Sequence, residues 1–192
     1  MGKGRLEAFS DGVLAIIITI MVLELKVPHG DDPEALRPLW PVFISYILSF
    51  VYIGIYWNNH HHLLHATQRI NAKVMWANMH LLFWLSLLPF ASGWMGENHF
   101  AHWPTALFGV DLLMAGMAYY ILSKCLVSLH GKESTLGKAV GQDIKGKISV
   151  VIYVFAIGLT FINKWIGLGL YGLVAFIWIL PDKRIEKKLK EE

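Results

Sequence analysis

The segment from Arg5 to Glu24 constrains the fold most, because acidic residues flank an apolar run that is too short to cross a bilayer by itself. Between Asp11 and Glu24 every residue is apolar or small except Thr19, and as a helix this run spans roughly 20 Å at about 1.5 Å per residue. The hydrocarbon layer of a membrane is about 30 Å thick. A carboxylate must therefore lie near or inside the apolar layer, at a cost of roughly 2.5 to 3.5 kcal/mol. A helix of this kind needs protein or water around it, which makes it the candidate functional element.

The composition indicates an integral membrane protein. Hydrophobic residues make up 55% of the chain and charged residues only 16%, against about 25% charge in soluble proteins. The length of 192 residues suits one domain and leaves no room for a soluble enzyme module beside the spans. The single cysteine, Cys125, excludes an internal disulfide and a thiolate metal cluster. The first apolar run carries acids at its ends and no cleavage site, so we expect it to be retained as a span.

The apolar segments predict an all-α integral membrane protein with six transmembrane helices in each subunit. The predicted domain covers residues 1–181, and residues 182–192 form a charged cytoplasmic tail. The predicted spans are residues 6–26, 40–60, 74–95, 103–126, 148–164 and 167–181.

The placement of basic residues predicts the orientation of these spans. Of the 17 Lys and Arg residues, all but Lys26, Arg37 and Lys164 fall on the side that holds both termini. Basic residues concentrate in cytoplasmic connections, so we expect a multi-pass protein of the cell membrane with both termini in the cytoplasm. Because the charges are spread along the chain and interleaved with acids in the tail, they do not indicate nucleic-acid binding.

One face of the first helix allows two interpretations. At 100° per residue, Ile16, Thr19, Ile20 and Leu23 lie within about 60° of a common direction. They form either an ordinary stripe that contacts neighbouring helices, or a face that several subunits place around an axis. In the second case the chain forms stacked apolar rings with one ring of Thr hydroxyls, and apolar rings of this kind gate by dewetting.

The polar groups at the cytoplasmic end of the first helix need partners, because they lie beside or within the apolar layer. These groups are Arg5, Ser10 and Asp11. The second span ends and the third begins on the same side, so polar residues there lie at a similar depth. The candidate partners are Trp57, His60, His61 and Asn78. A contact between Asp11 and an imidazole would favour the charged form of both groups.

Two other groups of ionisable residues suggest competing functions. His61 and His65 share a helix face at a spacing of four, but one such histidine box is too few for a membrane metalloenzyme built on residues 60–65, and we predict no metal site. Asp111 in the fourth span either marks an ion or proton path or is a paired or water-exposed polar residue near an external helix end. No motif of a hydrolase, nucleotide-binding protein or zinc protease occurs, so we predict that the protein is not an enzyme.

Three motifs together resemble the prokaryotic transmembrane protein 175 family of potassium channels. The first is Arg5 followed by residues 9–12 (Phe-Ser-Asp-Gly) and then by the face described above. The second is residues 55–61 at the end of the second span, and the third is residues 78–90. The similarity is strong over about the first 90 residues, and His80 and Asp111 depart from the family pattern.

The resemblance implies a six-helix subunit, a homotetramer and a central pore lined by the first helix, without the carbonyl filter of TVGYG-type channels. By motif position, Ile16, Ile20 and Leu23 would form the pore constriction and Thr19 the layer linked to potassium preference. The implied structural network comprises Arg5, Phe9, Ser10, Asp11, Trp57, His60, His61 and Asn78.

The predicted function is therefore a potassium-permeable cation channel with a hydrophobic gate, in which passive flux of monovalent cations runs through an oligomeric pore in the lipid bilayer. We expect no cofactor besides the permeant potassium ion. The alternative is a proton-coupled or metal-ion transporter that uses intramembrane Asp and His residues.

Overall fold

The structure, a computed structural model, describes residues 2–131, 133–141 and 143–179, and all regular secondary structure in these ranges is helical. Seven α-helices and one 3₁₀ helix occur in these ranges. In chain order they are α1 (Lys3–Leu23), a 3₁₀ helix (Pro33–Leu39), α2 (Trp40–His65), α3 (Ala72–Glu97), α4 (His102–His130), α5 (Thr135–Val140), α6 (Ile144–Thr160) and α7 (Lys164–Ile179).

Four helical stretches of the described ranges are long and apolar enough to cross a membrane, as expected of a multi-pass protein. They are α1, the combined 3₁₀ helix and α2, α3 and α4. Helix α7 is apolar but has only 16 residues, and α6 has 17. At about 1.5 Å per residue these two helices reach roughly 25 Å. The predicted tail over residues 182–192, and the end of the last predicted span, lie outside the described residues.

Local sequence signals set several helix ends. Asn71 and Ser134 cap α3 and α5, since their side-chain oxygens accept hydrogen bonds from the backbone N–H groups of Val74 and Gly137. Pro41 lies in the first turn of α2, where a missing N–H costs no helical hydrogen bond. The connection between α4 and α6 contains the short helix α5.

Helices α3 and α4 form the centre of the subunit. Helix α3 contacts α1, α2 and α4, whereas α4 also contacts α6 and α7. Their shared core is made of fully buried aliphatic and aromatic side chains. These include Leu81, Leu85 and Leu88 of α3 and Phe108, Leu112, Leu122 and Leu126 of α4.

A histidine fixes the connection between α2 and α3 to the end of α4. The Nε2 atom of His130 accepts hydrogen bonds from the backbone N–H groups of Gln68 and Arg69, both at 3.2 Å. Its Nδ1 atom lies 2.9 Å from the carbonyl oxygen of Leu126 and donates to it, because Nε2 is the acceptor. The imidazole thus joins the connection between α2 and α3 to the last turn of α4.

A close helix contact at Gly109 provides a test of this packing. A Cβ atom at Gly109 would overlap the hydroxyl of Tyr171 and would lie 2.9 Å from Cγ1 of Ile157. We expect Gly109→Ala to lower the free energy of unfolding by about 1–3 kcal/mol, the usual cost of overpacking. The measurement is a denaturant titration in detergent micelles.

The matched control is Gly158→Ala, where a Cβ atom meets no atom within 4 Å. Adding Tyr171→Phe to Gly109→Ala removes the nearest atom and should recover part of the loss. Equal stability of the Gly109→Ala and Gly158→Ala proteins would show that α4 and α7 are not this close.

Candidate pore face and its supporting network

Helix α1 has one buried side and one uncovered side. The buried residues recur every three or four positions and face α2 and α3, which are the helices that α1 contacts most. They are Leu6, Ser10, Leu14, Ile17 and Met21. The residues predicted to form the constriction lie on the other side, where the side chains of Ile16, Ile20 and Leu23 are 60%, 42% and 76% exposed. The core of the subunit contains none of the three.

Thr19 lies on the same uncovered side as these aliphatic residues. Its hydroxyl donates a hydrogen bond to the carbonyl oxygen of Ala15, at 2.9 Å. The hydrogen is thereby directed back along the helix, and the oxygen keeps acceptor lone pairs for another group. Thr19 can therefore present an oxygen ligand to a cation while its own donor remains satisfied.

A buried chain of hydrogen bonds fixes α1 against α2 and α3. The side-chain amide nitrogen of Asn78 donates to the hydroxyl of Ser10 at 2.9 Å, and its carbonyl oxygen lies 2.7 Å from Nε2 of His60. Because that amide oxygen can only accept, His60 carries its proton on Nε2. The Ser10 hydroxyl in turn donates to the carbonyl oxygen of Leu6 at 2.8 Å. All three side chains are buried, so this series of hydrogen bonds sets which side of α1 faces inward.

A second contact lies beside this chain, on the exposed rim. The indole nitrogen of Trp57 donates to Oδ1 of Asp11 at 3.1 Å, and the ring of His61 stacks on Trp57 with centroids 6.4 Å apart. Asp11 thus pairs with the indole of Trp57, which is one of the candidate partners that the sequence offered. Arg5 and Phe9 are exposed on the surface of the single chain.

Anchors at both ends of α1 were not identified from the sequence. The ammonium group of Lys3 donates to the carbonyl oxygen of His65 at 3.0 Å, which ties the start of α1 to the end of α2. Beyond the other end, Lys26 pairs with Glu97 at 2.6 Å, and the hydrogen bond to this carboxylate raises the pKa of the Lys26 ammonium. Lys3 also pairs with Glu7 at 3.8 Å, and the sequence shows this spacing of four residues within α1. The partners of Lys3 and Lys26 on α2 and α3 could be identified only from the structure.

Asp111 lies apart from α1 and is buried within the subunit. Its side chain is only 4% exposed, and neither carboxylate oxygen has a hydrogen-bond partner among the described residues. The expectation of a paired or water-exposed residue near a helix end is therefore wrong, because the position along α4 does not reveal that neighbouring helices cover this side.

The histidines do not assemble a metal site within the described ranges. No group of three or more His, Cys, Asp or Glu side chains there could hold a metal ion. The rings of His61 and His65 lie 6.0 Å apart, and His80 accepts a hydrogen bond from the indole nitrogen of Trp84 at 3.0 Å.

Comparison with known proteins identifies the family. Residues 5–89 match the family described as endosomal/lysosomal potassium channel TMEM175, a range that contains every predicted pore and network residue. A protein named potassium channel from a Chryseobacterium species is 54% identical over 191 residues, and the match covers 100% of each chain. The chain belongs to the TMEM175 family. A protein named potassium channel from Streptomyces collinus is 30% identical over 92% of this chain and 91% of its own length.

A solved TMEM175 structure shares the fold. The crystal structure of a lysosomal potassium-selective channel TMEM175 homolog from Chamaesiphon minutus has a TM-score of 0.80 and 28% identity, and the match covers 93% of this chain and 96% of that one. The human protein named endosomal/lysosomal proton channel TMEM175 is 33% identical over 96 residues, which are 43% of this chain and 19% of the human protein.

Replacing Asn78 tests the supporting network. We expect Asn78→Leu to lower the free energy of unfolding by about 1–3 kcal/mol, because the buried His60 side chain loses its partner while Ser10 keeps its bond to Leu6. Unfolding by a denaturing detergent measures this difference. The matched control is Asn98→Leu at the exposed end of α3, where we expect a change within about 0.5 kcal/mol. Equal losses in the two variants would remove the network from its anchoring role.

Proposed function

We propose that the protein is a potassium channel whose pore is lined by α1. The observation that carries the proposal is the uncovered apolar side of α1, with its single hydroxyl layer, in a chain that is 54% identical to a protein named as a potassium channel. A helix facing lipid on that side would gain nothing from Thr19, whereas a helix facing ions would gain an oxygen ligand.

Conduction along α1 requires several copies of the chain. One helix cannot surround an axis, so the uncovered sides of symmetry-related α1 helices must face one another. We infer a homotetramer, in which Ile16, Ile20 and Leu23 form stacked apolar rings and Thr19 forms a ring of hydroxyl oxygens. The apolar rings hold the closed pore by excluding water, and they must widen before hydrated potassium can pass.

The proposed subunit has six transmembrane helices, which are α1, α2, α3, α4, α6 and α7. Helix α5 then lies in the cytoplasmic connection. With the termini in the cytoplasm of a cell-membrane protein, the cytoplasmic side carries all Lys and Arg residues of the sequence except Lys26, Arg37 and Lys164. The anchor between Lys3 and His65 supports this arrangement, because it joins the start of α1 to the end of α2 on one side.

Replacement of Thr19 tests the function in liposomes that hold the purified protein under potassium or sodium gradients. We expect passive flux with potassium preferred over sodium, and we expect Thr19→Val to lower that preference about fivefold. This factor corresponds to a contribution of about 1 kcal/mol from the hydroxyl layer to the preference for potassium over sodium. Thr19→Ser is the matched control, because it keeps the hydroxyl and should keep the preference.

Two results would contradict the proposal. Unchanged selectivity in the Thr19→Val protein would remove the hydroxyl ring from ion selection. A flux that saturates with ion concentration and requires a proton gradient would support the transporter alternative instead, with the buried Asp111 as its candidate carboxylate.

A further inference from the structure

A cavity lies between α2, α4 and α6, and no residue of α1 lines it. Its volume is about 240 Å³. Its lining repeats at helical spacing, through residues 52, 55, 56 and 59 of α2 and residues 146, 149, 150 and 153 of α6. Seven residues of helix rise about 10 Å, so the cavity is a slot that runs along the helix axes. We name this cavity the tyrosine slot, because five of its lining residues are tyrosines: Tyr52, Tyr56, Tyr119, Tyr120 and Tyr153.

The polar groups of the slot are largely bonded within the protein. Tyr153 donates to the hydroxyl of Tyr52, which donates to the carbonyl oxygen of Tyr171, at 3.2 and 2.7 Å. Tyr119 donates to the backbone carbonyl oxygen of Asn59 at 3.2 Å. The side-chain amide of Asn59 donates to the carbonyl oxygen of Ile55 at 2.8 Å. The walls therefore present ring faces and aliphatic groups.

The polar groups at the end of the slot near the start of α6 are also hydrogen-bonded within the protein. The indole nitrogen of Trp178 donates to the hydroxyl of Ser149 at 2.8 Å, and the carboxylate of Asp143 accepts the backbone N–H of Gly146 at 3.1 Å. A buried water needs two to four polar partners. Because most of the polar lining is already paired, the slot favours an apolar occupant over water.

One lysine lines the slot, and a second lies next to a lining residue. Lys147 is an exposed lining residue, and Lys124 lies over the ring of the lining residue Tyr120, 5.2 Å from its centroid. Neither lysine pairs with a carboxylate in the part of the chain that the structure describes. An anionic group beside these lysines would have two ammonium groups as neighbours against one lining carboxylate, that of Asp143, which accepts the backbone N–H of Gly146 at the cap of α6.

We propose that the tyrosine slot binds an anionic phospholipid of the cytoplasmic leaflet, with part of one acyl chain between α2 and α6 and the phosphate beside Lys147 and Lys124. The slot lies along the membrane normal in the half of the bundle that holds the end of α2 and the start of α6. This half is cytoplasmic in the proposed orientation. Anionic lipids of that leaflet attract basic groups at the membrane surface. The site does not include α1, so it is separate from the proposed pore.

Native mass spectrometry of the purified protein tests the site with three probes. They are phosphatidylglycerol, phosphatidylcholine with the same acyl chains, and inorganic phosphate. We expect phosphatidylglycerol to bind more tightly than phosphatidylcholine and inorganic phosphate to leave no adduct. A phosphate adduct equal to that of the lipid would overturn the acyl-chain assignment.

A larger side chain inside the slot should weaken the binding of the lipid. A Cβ atom at the lining residue Gly116 would lie 3.7 Å from the hydroxyl of Tyr56, in ordinary contact, so the longer side chain of Gly116→Leu enters the slot. We expect this variant to weaken phosphatidylglycerol binding about tenfold. The matched control Gly158→Leu, on an open surface of α6, should bind as the unchanged protein does. Equal binding by both variants would overturn the proposal.

The headgroup contact has its own test. We expect Lys147→Ala to reduce the preference for phosphatidylglycerol over phosphatidylcholine about fivefold, as the loss of one surface lysine predicts. Lys73→Ala, on an exposed position at the start of α3, is the control and should keep the preference. An unchanged preference in Lys147→Ala would overturn the headgroup assignment. Because binding is measured without ion flux, failure here is distinguishable from failure of the channel proposal.

Discussion

The hydrogen-bonded chain of Ser10, Asn78 and His60 is the interaction on which the structure around α1 depends. Both sides of α1 are apolar, so hydrophobicity alone does not decide which side faces the subunit. In a membrane the lipid is as apolar as a neighbouring helix, and polar contacts decide more than burial does. These hydrogen bonds hold Ser10 towards the interior of the subunit, so the side of α1 that carries Ile16 faces outward.

The anchors at the two ends of α1 complete this constraint. Lys3 ties the start of α1 to α2, and the pair of Lys26 with Glu97 ties the following connection to α3. Asp11, next to Ser10 in sequence, is thereby placed on the exposed rim beside Trp57. A helix held in this way keeps a fixed orientation about its axis. In the proposed pore, movement of the side chains in the apolar rings, or widening of the assembly, is therefore more consistent with these anchors than rotation of α1.

The sequence predicted the helical class and the residues that share one side of α1, because both follow from local periodicity. Ile16, Thr19, Ile20 and Leu23 share a direction in any regular helix, and the packed chain leaves that direction uncovered. The contacts among Ser10, Asn78 and His60 could also be expected from the sequence, since the positions of these residues on three spans place them at a similar depth.

Features that depend on how separate helices meet could not be predicted in this way. The burial of Asp111 depends on which side of α4 its neighbours cover, and the role of His130 depends on a connection about 60 residues away. The tyrosine slot exists because α2 does not close against α6 over two helical turns, which no single segment reveals. Helix α5 has a local signal in its cap, Ser134, but it is short and lies in a connection that is rich in glycine.

The most direct measurement of the pore assignment is the effect of a water-soluble thiol reagent on potassium flux through an Ile16→Cys protein that also carries Cys125→Ser. If the Ile16 sides of several copies face water around one axis, the reagent reacts and blocks the flux. The comparison is Phe155→Cys in the same background, an exposed apolar position on α6 that should face lipid and leave the flux unchanged. Flux that persists through the Ile16→Cys protein after its thiol has reacted, or a thiol there that reacts no faster than the one on α6, would contradict a pore lined by α1.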